Sequence, residues 1–353
     1  MPLRIAVVGA GYWSEECHVP GLRLAKEAEV VALVGRRKEL ALEQAKRLKI
    51  PNVYKDYLEM LEVEKPEAIT ISTSNNSHKE IALEAMQRGI HVFCEKPLAL
   101  DAKEALDMVN GALESNVVNH VGFTFRFLQS TIKARELIME GLIGRIFHAR
   151  LWAENDAGLF IRPPLWRDHK DLAGSGQLGD MGSHLFDLYR YLTGDEFTSV
   201  YTHSQTINPE RKKRSRKFLI SVDDFNSILF ETKNQVSGMA VASRVTRGLG
   251  SSSIELFGSE GGLRVVYSRG LKDELWYAKK GEEFRMIGLS YIPGDFAMLH
   301  MMEAFVADIV KRRAITAALP ATFLDGLKAQ DVIDATLVSA YTASNTRVKR
   351  SVY

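Results

Sequence analysis

The sequence predicts an α/β chain: a doubly wound parallel sheet at the N-terminal end, then an α+β unit with an open, mostly antiparallel sheet. Three observations carry this. Short apolar runs alternate with helix-like segments over the first third of the 353 residues. A glycine-rich turn follows the first of these runs directly. From Thr198 onward, strand-like runs succeed one another with connections mostly too short for crossover helices. The character changes near Phe123, which divides the chain into residues 1–123 and 124–353. The length exceeds what one hydrophobic core normally serves, so two units fit it.

Taken in order, Arg4–Val8 (RIAVV) reads as a buried strand, followed by Val30–Val34, Ala68–Ser72, His91–Cys94 and Val117–Phe123. Helical patterns stand between them at Lys38–Leu48, Tyr54–Leu61 and His78–Gln87, the last stopped by Gly89. Ser130–Met139 reads as a helix ending at Gly141, and Arg145–Glu154 alternates like a strand. Further strands are expected at Val222–Glu231, Gln235–Ser243, Ser252–Phe257, Leu263–Tyr267 and Glu274–Ala278. Helices near Phe296–Arg312 and Leu324–Ser344 close the chain.

Hydrophobic residues make up 46% and charged residues 25%, an ordinary soluble composition. No apolar run approaches the ~18 residues that span a membrane. Met1–Gly9 carries no cleavage-site pattern, and Cys17 and Cys94 have neither disulfide-framework nor zinc-site spacing. The expectation is a cytoplasmic protein with reduced thiols. The net charge of +2 is local: Glu210–Lys217 (ERKKRSRK) alone holds six basic residues and one acidic. That run has no interleaved aromatics and reads as a solvated loop, so no nucleic-acid partner is expected.

The first strand runs into Gly9-Ala10-Gly11-Tyr12-Trp13-Ser14. Gly9 allows a tight turn, Gly11 lets backbone approach a pyrophosphate, and the helix that follows offers its positive end to phosphates. Ser14 stands where the third glycine of this dinucleotide-binding turn is usual. The second strand ends Val34-Gly35-Arg36-Arg37, without the acid that bonds a ribose 2′-hydroxyl. A small residue beside two guanidinium groups favours the 2′-phosphate of NADP(H). The alternative is that Arg36 and Arg37 merely begin a solvated helix and the cofactor is NAD(H).

Glu95-Lys96-Pro97 follows the fourth strand at its carboxyl end, the edge that faces ligands in an open parallel sheet. A lysine there can stabilise a developing alkoxide; the bland alternative is a surface turn. Gly174–Asp187 reads GSGQLGDMGSHLFD, and its Asp180 and His184 are four apart, on one face of a helix. Such a pair can bind adjacent hydroxyls and supply a general base. It can also be two metal ligands, with Asp168, His169 and Asp187 nearby in sequence, or simply a helix cap and a satisfied histidine; no metal is expected. Trp166 suits stacking on a sugar face and Arg167 suits an anionic group, unless the pair belongs to a packed loop.

GAGYWS, TSNNSH (Thr73–His78), GIHVFCEKPLAL (Gly89–Leu100) and GSGQLGDMGSHLFDL (Gly174–Leu188) occur in this order. In them the chain resembles the glucose–fructose oxidoreductase / inositol dehydrogenase / rhizopine catabolism family, Gfo/Idh/MocA, over nearly its whole length. The resemblance implies an N-terminal Rossmann domain and a C-terminal α+β domain whose sheet forms a homodimer or homotetramer surface. It implies NAD(P)-dependent hydride transfer to or from a secondary alcohol or ketone of a sugar or polyol. Lys96 matches the lysine that contacts nicotinamide and substrate, Asp180 the substrate-binding aspartate, and His184 the catalytic histidine. Tyr12, Trp13, Thr73, Asn75, His78 and Glu95 fall in cofactor-bordering segments. Arg126 matches an arginine entering the substrate side. Ser14 and Ser74 depart from the family's glycine and proline. A catalytically silent dinucleotide-binding homologue, and a glycosidase or lyase that oxidises its substrate transiently, are the competing activities.

Overall fold

The computed structural model describes residues 1–160, 165–213, 216–248, 250–268, 273–289, 294–311, 319–349 and 351. Its first unit runs β1 (Leu3–Val8), α1 (Val19–Leu24), β2 (Ala28–Val34), α2 (Lys38–Arg47), β3 (Asn52–Tyr54), α3 (Tyr57–Glu64), β4 (Ala68–Ile71), α4 (His78–Gln87), β5 (His91–Cys94), α5 (Ala102–Ser115) and β6 (Asn119–Val121). The six strands pair in the order β3-β2-β1-β4-β5-β6, all parallel. Ile5, Ala6, Val7 and Val8 are all buried, as expected of a strand covered on both faces. The order reverses between β1 and β4, which opens a crevice above their carboxyl ends. Two details depart from the expectation. The segment read as helix from Tyr54 yields β3 first, and the helix begins after Asp56, whose carboxylate accepts from the N–H groups of Leu58 and Glu59.

The second unit runs α6 (Gln129–Met139), β7 (Ile146–Glu154), α7 (Lys170–Ala173), α8 (Ser183–Thr193), β8 (Phe197–Gln205), β9 (Glu210–Lys213), β10 (Arg216–Leu219), β11 (Phe225–Thr232), β12 (Ser237–Ser243), β13 (Ser251–Gly258), β14 (Gly261–Ser268), β15 (Glu274–Lys279), β16 (Arg285–Ile287), α9 (Gly294–Ile309), α10 (Phe323–Thr342) and β17 (Thr346–Arg347). Nine strands form one sheet, β16-β15-β14-β13-β7-β12-β11-β8-β17. Every pairing is antiparallel except β12 with β7. Helices α6, α8 and α10 pack on this sheet. The basic run is not a loop: β9 and β10 form a two-stranded antiparallel hairpin of their own, with Lys217 bonded to Glu210 at 3.0 Å.

The closing helices return to the first unit. Helix α9 packs on α1 and α10 on α5. Gly21 is needed at the first contact, because a Cβ there would come within 2.8 Å of the Met302 side chain. Cys17 donates to the Met298 carbonyl at 3.4 Å, and His120 meets Asp308 at 2.9 Å. Val121 also bridges to Ala321. Among the described residues no helix is long and apolar enough to cross a membrane.

Candidate active site

The phosphate turn is held from two sides. Gly9 has φ +121, and a Cβ on it would lie 2.7 Å from the backbone of Ser72, at the end of β4. Only glycine lets the two strand ends approach so closely. A Cβ on Gly11 would instead meet nothing within 4 Å, which leaves open space over the turn. Ser14 does more than replace a glycine. Its hydroxyl accepts from the Gly11 N–H at 3.0 Å and donates to the Gly11 carbonyl at 2.7 Å, and the Gln44 amide donates to both groups. The turn is thereby braced by side chains where the usual motif relies on backbone packing. Tyr12 and Trp13 meet edge to face, centroids 5.6 Å apart, with Tyr12 exposed.

Gly35 corrects one expectation. A Cβ there would come within 2.7 Å of Ala10 and 2.8 Å of Ala41, so the space beside it is filled by alanines and does not stand open for a phosphate. The same packing excludes an acidic side chain at that position. Arg36 and Arg37 are exposed at the start of α2.

The Thr73–His78 segment is tied inward. His78 is buried between carbonyls, with Nδ1 near those of Pro97 and Leu98 and Nε2 near that of Thr73. Burial holds its pKa below the ordinary value, so it stays uncharged. Its one N–H donates to a carbonyl on one side of the ring, which packs this loop against the Lys96 turn. Thr73 receives the Ser77 hydroxyl at 2.7 Å. Asn75 donates to the Ala173 carbonyl across the crevice at 2.9 Å, and its buried Oδ1 has no hydrogen-bond partner.

Lys96 and Asp180 come together. The ammonium donates to the Asp180 carbonyl and to its Oδ1, both at 2.7 Å. The lysine is 6% exposed and the carboxylate 43%, so the pair has one closed and one open end. The Lys96–Pro97 peptide is cis. Burial would raise the Asp180 carboxyl, but the charges of Lys96 and Arg167 hold it well below the usual carboxylate range. His184 lies beside them. Burial, reinforced by the Lys96 charge, pushes its pKa well below the ordinary value, with Asp180 opposing in part. The neutral ring stacks on Phe125 at 4.5 Å with its edge toward Phe123, and its buried Nδ1 has no partner. A neutral imidazole beside a lysine–carboxylate pair can accept a proton from a hydroxyl.

The segment carrying Asp180 is a π-helical turn, Leu178–Gly182, that leads into α8. Its start is clamped by Asp223, which accepts from the N–H groups of Gly176 and Leu178, both at 2.7 Å. Gly176 must lack a side chain, since a Cβ would fall 2.0 Å from the Asp223 carbonyl oxygen. Trp166 and Arg167 precede this turn, and the guanidinium stacks over the indole at 4.3 Å. Asp168, fully buried, meets Arg244 at 3.3 Å and anchors that loop.

Arg126 is a correction. It does not face the substrate side with free donors. Its guanidinium makes two bonds to Asp187, at 2.8 and 2.5 Å, and pairs with Asp325 at 3.1 Å, all within the core. Asp187 and Asp168 are thus both engaged with arginines, and no group of three potential metal ligands exists among the described residues. Asp223, Phe125 and His18, which pairs with Glu95 at 3.1 Å, are absent from the sequence expectations. Their partners lie 45, 59 and 77 residues away in the chain, where no local spacing reveals them.

Comparison with known proteins agrees with this geometry. Residues 3–123 match the model of an oxidoreductase family with an NAD-binding Rossmann fold, and residues 131–264 match the GFO/IDH/MocA C-terminal domain. The chain is 31% identical over 336 residues to levoglucosan dehydrogenase of Pseudarthrobacter phenanthrenivorans, covering 86% of this chain and 85% of that protein. It is 28% identical over 259 residues to myo-inositol 2-dehydrogenase of Thermotoga maritima, covering 73% and 74%. A solved structure of levoglucosan dehydrogenase in complex with NADH and levoglucosan superposes with a TM-score of 0.88 at 28% identity, over 99% of this chain and 100% of that one. By its dinucleotide turn, its paired sheets and these matches, the chain belongs to the GFO/IDH/MocA family of NAD-binding oxidoreductases.

Proposed function

We propose that this protein transfers hydride between a nicotinamide dinucleotide and a secondary alcohol or ketone of a sugar or polyol, with residues 1–123 holding the dinucleotide and 124–353 the substrate. The observation that carries it is the meeting of Lys96, Asp180 and His184 at the crevice where the phosphate turn also ends. The residues fit the cofactor. Neither Gly9 nor Gly11 places a Cβ on the turn, open space lies over Gly11, and the following helix presents its positive end. When bound, the nicotinamide supplies the hydride acceptor or donor. His184, neutral, takes the hydroxyl proton during oxidation and returns one during reduction. Lys96 has three N–H donors, of which Asp180 occupies two; the third meets the substrate oxygen and stabilises its developing charge. The open oxygen of Asp180 and the Trp166–Arg167 stack receive neighbouring hydroxyls. The levoglucosan and inositol dehydrogenases among its relatives make a cyclic polyol the first substrate class to try.

NADP(H) is the favoured form, because packing excludes an acid at Gly35 and two exposed guanidinium groups follow it. The large sheet forms the contact of a homodimer or homotetramer. Tyr201, Leu229, Met239, Arg150, Glu255, Arg264, Trp276 and Met286 stand opposite one another across adjacent strands in one continuous row. Tyr201, Leu229 and Met286 are about half exposed, at 47%, 54% and 60%. Cytoplasmic residence accords with the two buried, unpaired thiols, Cys17 and Cys94. The test is a screen of NADP and NAD reduction against anhydrosugars, inositols, aldoses, glycosides and sugar phosphates. Turnover with at least one class is expected, faster with NADP. A purified protein that binds neither dinucleotide would overturn the proposal.

A further inference from the structure

His18 lies on the helix that follows the phosphate turn, four residues after Ser14, and the reaction proposed above makes no use of it. It is fully buried. Its ring meets Phe93 edge to face at 5.3 Å, and its Nε2 lies 3.1 Å from Oε1 of Glu95. Glu95 immediately precedes Lys96, and its second oxygen accepts the Lys96 backbone N–H at 3.3 Å. The carboxylate rests against Gly122, where a Cβ would lie 3.0 Å from the carboxyl carbon and from both oxygens. Among the described residues it has no hydrogen-bond partners besides His18 and Lys96.

A carboxylate this enclosed needs a donor. The tautomer of His18 follows from its other nitrogen, Nδ1, which is buried without a partner. A proton on Nδ1 would leave a buried N–H unbonded and turn the Nε2 lone pair toward a carboxylate oxygen. A proton on Nε2 satisfies Glu95 and leaves only a bare lone pair, the cheaper arrangement.

We propose that His18 is a positioning residue that acts through Glu95 on Lys96, coupling the helix at the phosphate turn to the strand end that carries the lysine. This rests on the reading of Lys96 as the group that meets the substrate. The helix that receives the cofactor's phosphates bears the donor, and the donor orients the carboxylate. The carboxylate holds the main chain from which the ammonium reaches Asp180. With the donor removed, Glu95 turns away, and the backbone at Lys96 loses its anchor. The other titratable groups that feel the Glu95 charge are Cys17, Cys94 and His78, all buried.

The test is a double-mutant cycle of His18→Leu and Glu95→Gln, with His18→Gln as the conservative variant, whose amide can still donate to the carboxylate. His18→Leu is expected to lower kcat about tenfold, the worth of one hydrogen bond to a charged group, with little change in KM for the sugar. His18→Gln should stay within about threefold of the parent. The double variant should be no worse than the poorer single one, because both changes break one chain of contacts. A structural role alone would lower kcat in His18→Leu and His18→Gln alike, whereas here only the variant that cannot donate to Glu95 should lose it. Parental kcat in His18→Leu, or losses that multiply in the double variant, would overturn the proposal. Should His18→Leu not fold, His18→Asn, too short to reach Glu95, takes its place in the cycle. If the parent turns over no sugar, that defeats the functional reading alone. The same cycle is then read in the dinucleotide Kd, where coupling between positions 18 and 95 supports the proposal and independence overturns it.

Discussion

Two ion clusters stand along one helical run, and they differ in what they leave unsatisfied. At its start, Asp180 pairs with Lys96 through one oxygen, while its side chain is 43% exposed and His184 keeps an unbonded Nδ1. Two turns on, Asp187 is bonded by both oxygens to Arg126, with side-chain exposures of 2% and 5% respectively. Asp325 and Arg190 extend that second cluster, and Arg190 carries it to Glu196. Both clusters join a buried cation to an aspartate and both keep an unbonded buried nitrogen, His184 Nδ1 in the first and Arg190 Nη1 in the second, yet only in the first is that aspartate open to a further molecule. Chemistry is located by an ion pair that a ligand can reach, and scaffolding by one sealed in the core.

The largest effects should fall on the open cluster. Lys96→Ala is expected to reduce turnover by at least about 10²–10⁴, and His184→Ala by about 10²–10⁴, with dinucleotide binding retained in both. Steady-state rates together with nucleotide titration measure this, and near-parental turnover in His184→Ala would remove the imidazole from the mechanism. The closed cluster should respond in stability. Arg126→Ala strands the Asp187 carboxylate in the core and should cost about 3–5 kcal/mol in chemical denaturation. The kcat of the protein that stays folded should change by only a few fold. A collapse of kcat at unchanged stability would erase the distinction between the clusters.

A third, smaller effect concerns pH. His184 must be neutral to accept a proton, and its pKa lies below the ordinary value because of burial and the Lys96 charge. Alcohol oxidation should therefore hold its kcat/KM as pH falls through 6.5 and decline only at lower pH. Lys96→Met removes the repelling charge and should move that acid limb up. Asp180→Asn removes the attracting one and should move it down. Opposite shifts in the two residual pH profiles sharpen the comparison, and equal shifts would break it. The smallest effect belongs to the phosphate turn. Ser14→Gly restores the usual motif but deletes the hydroxyl bonds to Gly11, and should cost about 1 kcal/mol of thermal stability with KM for the dinucleotide little changed.

The alternation of apolar runs with helical patterns, and the glycine turn after Val8, made the parallel sheet legible from residues alone. These are local signals: periodicity, caps and turns act over a few residues and survive without tertiary contacts. The approximate spans of α9 and α10 were legible for the same reason. Lys96, Asp180 and His184 could be nominated because each sits in a short motif with a plain chemical use. Their meeting could not be derived, since Lys96 and Asp180 are 84 residues apart. Arg126 shows the limit most clearly. As a residue type it suits a substrate pocket, and only packing revealed that Asp187 and Asp325 take up its donors. The basic run at Glu210–Lys217 has the composition of a solvated loop, yet cross-strand pairing makes it a hairpin. Gly35, read as open space, proved to be filled by two alanines from different segments. The sequence by itself determined which elements form and which groups have suitable chemistry. Which donors remain free at the end was decided by the tertiary structure, because hydrogen-bond satisfaction depends on neighbours that the chain brings together only when it folds.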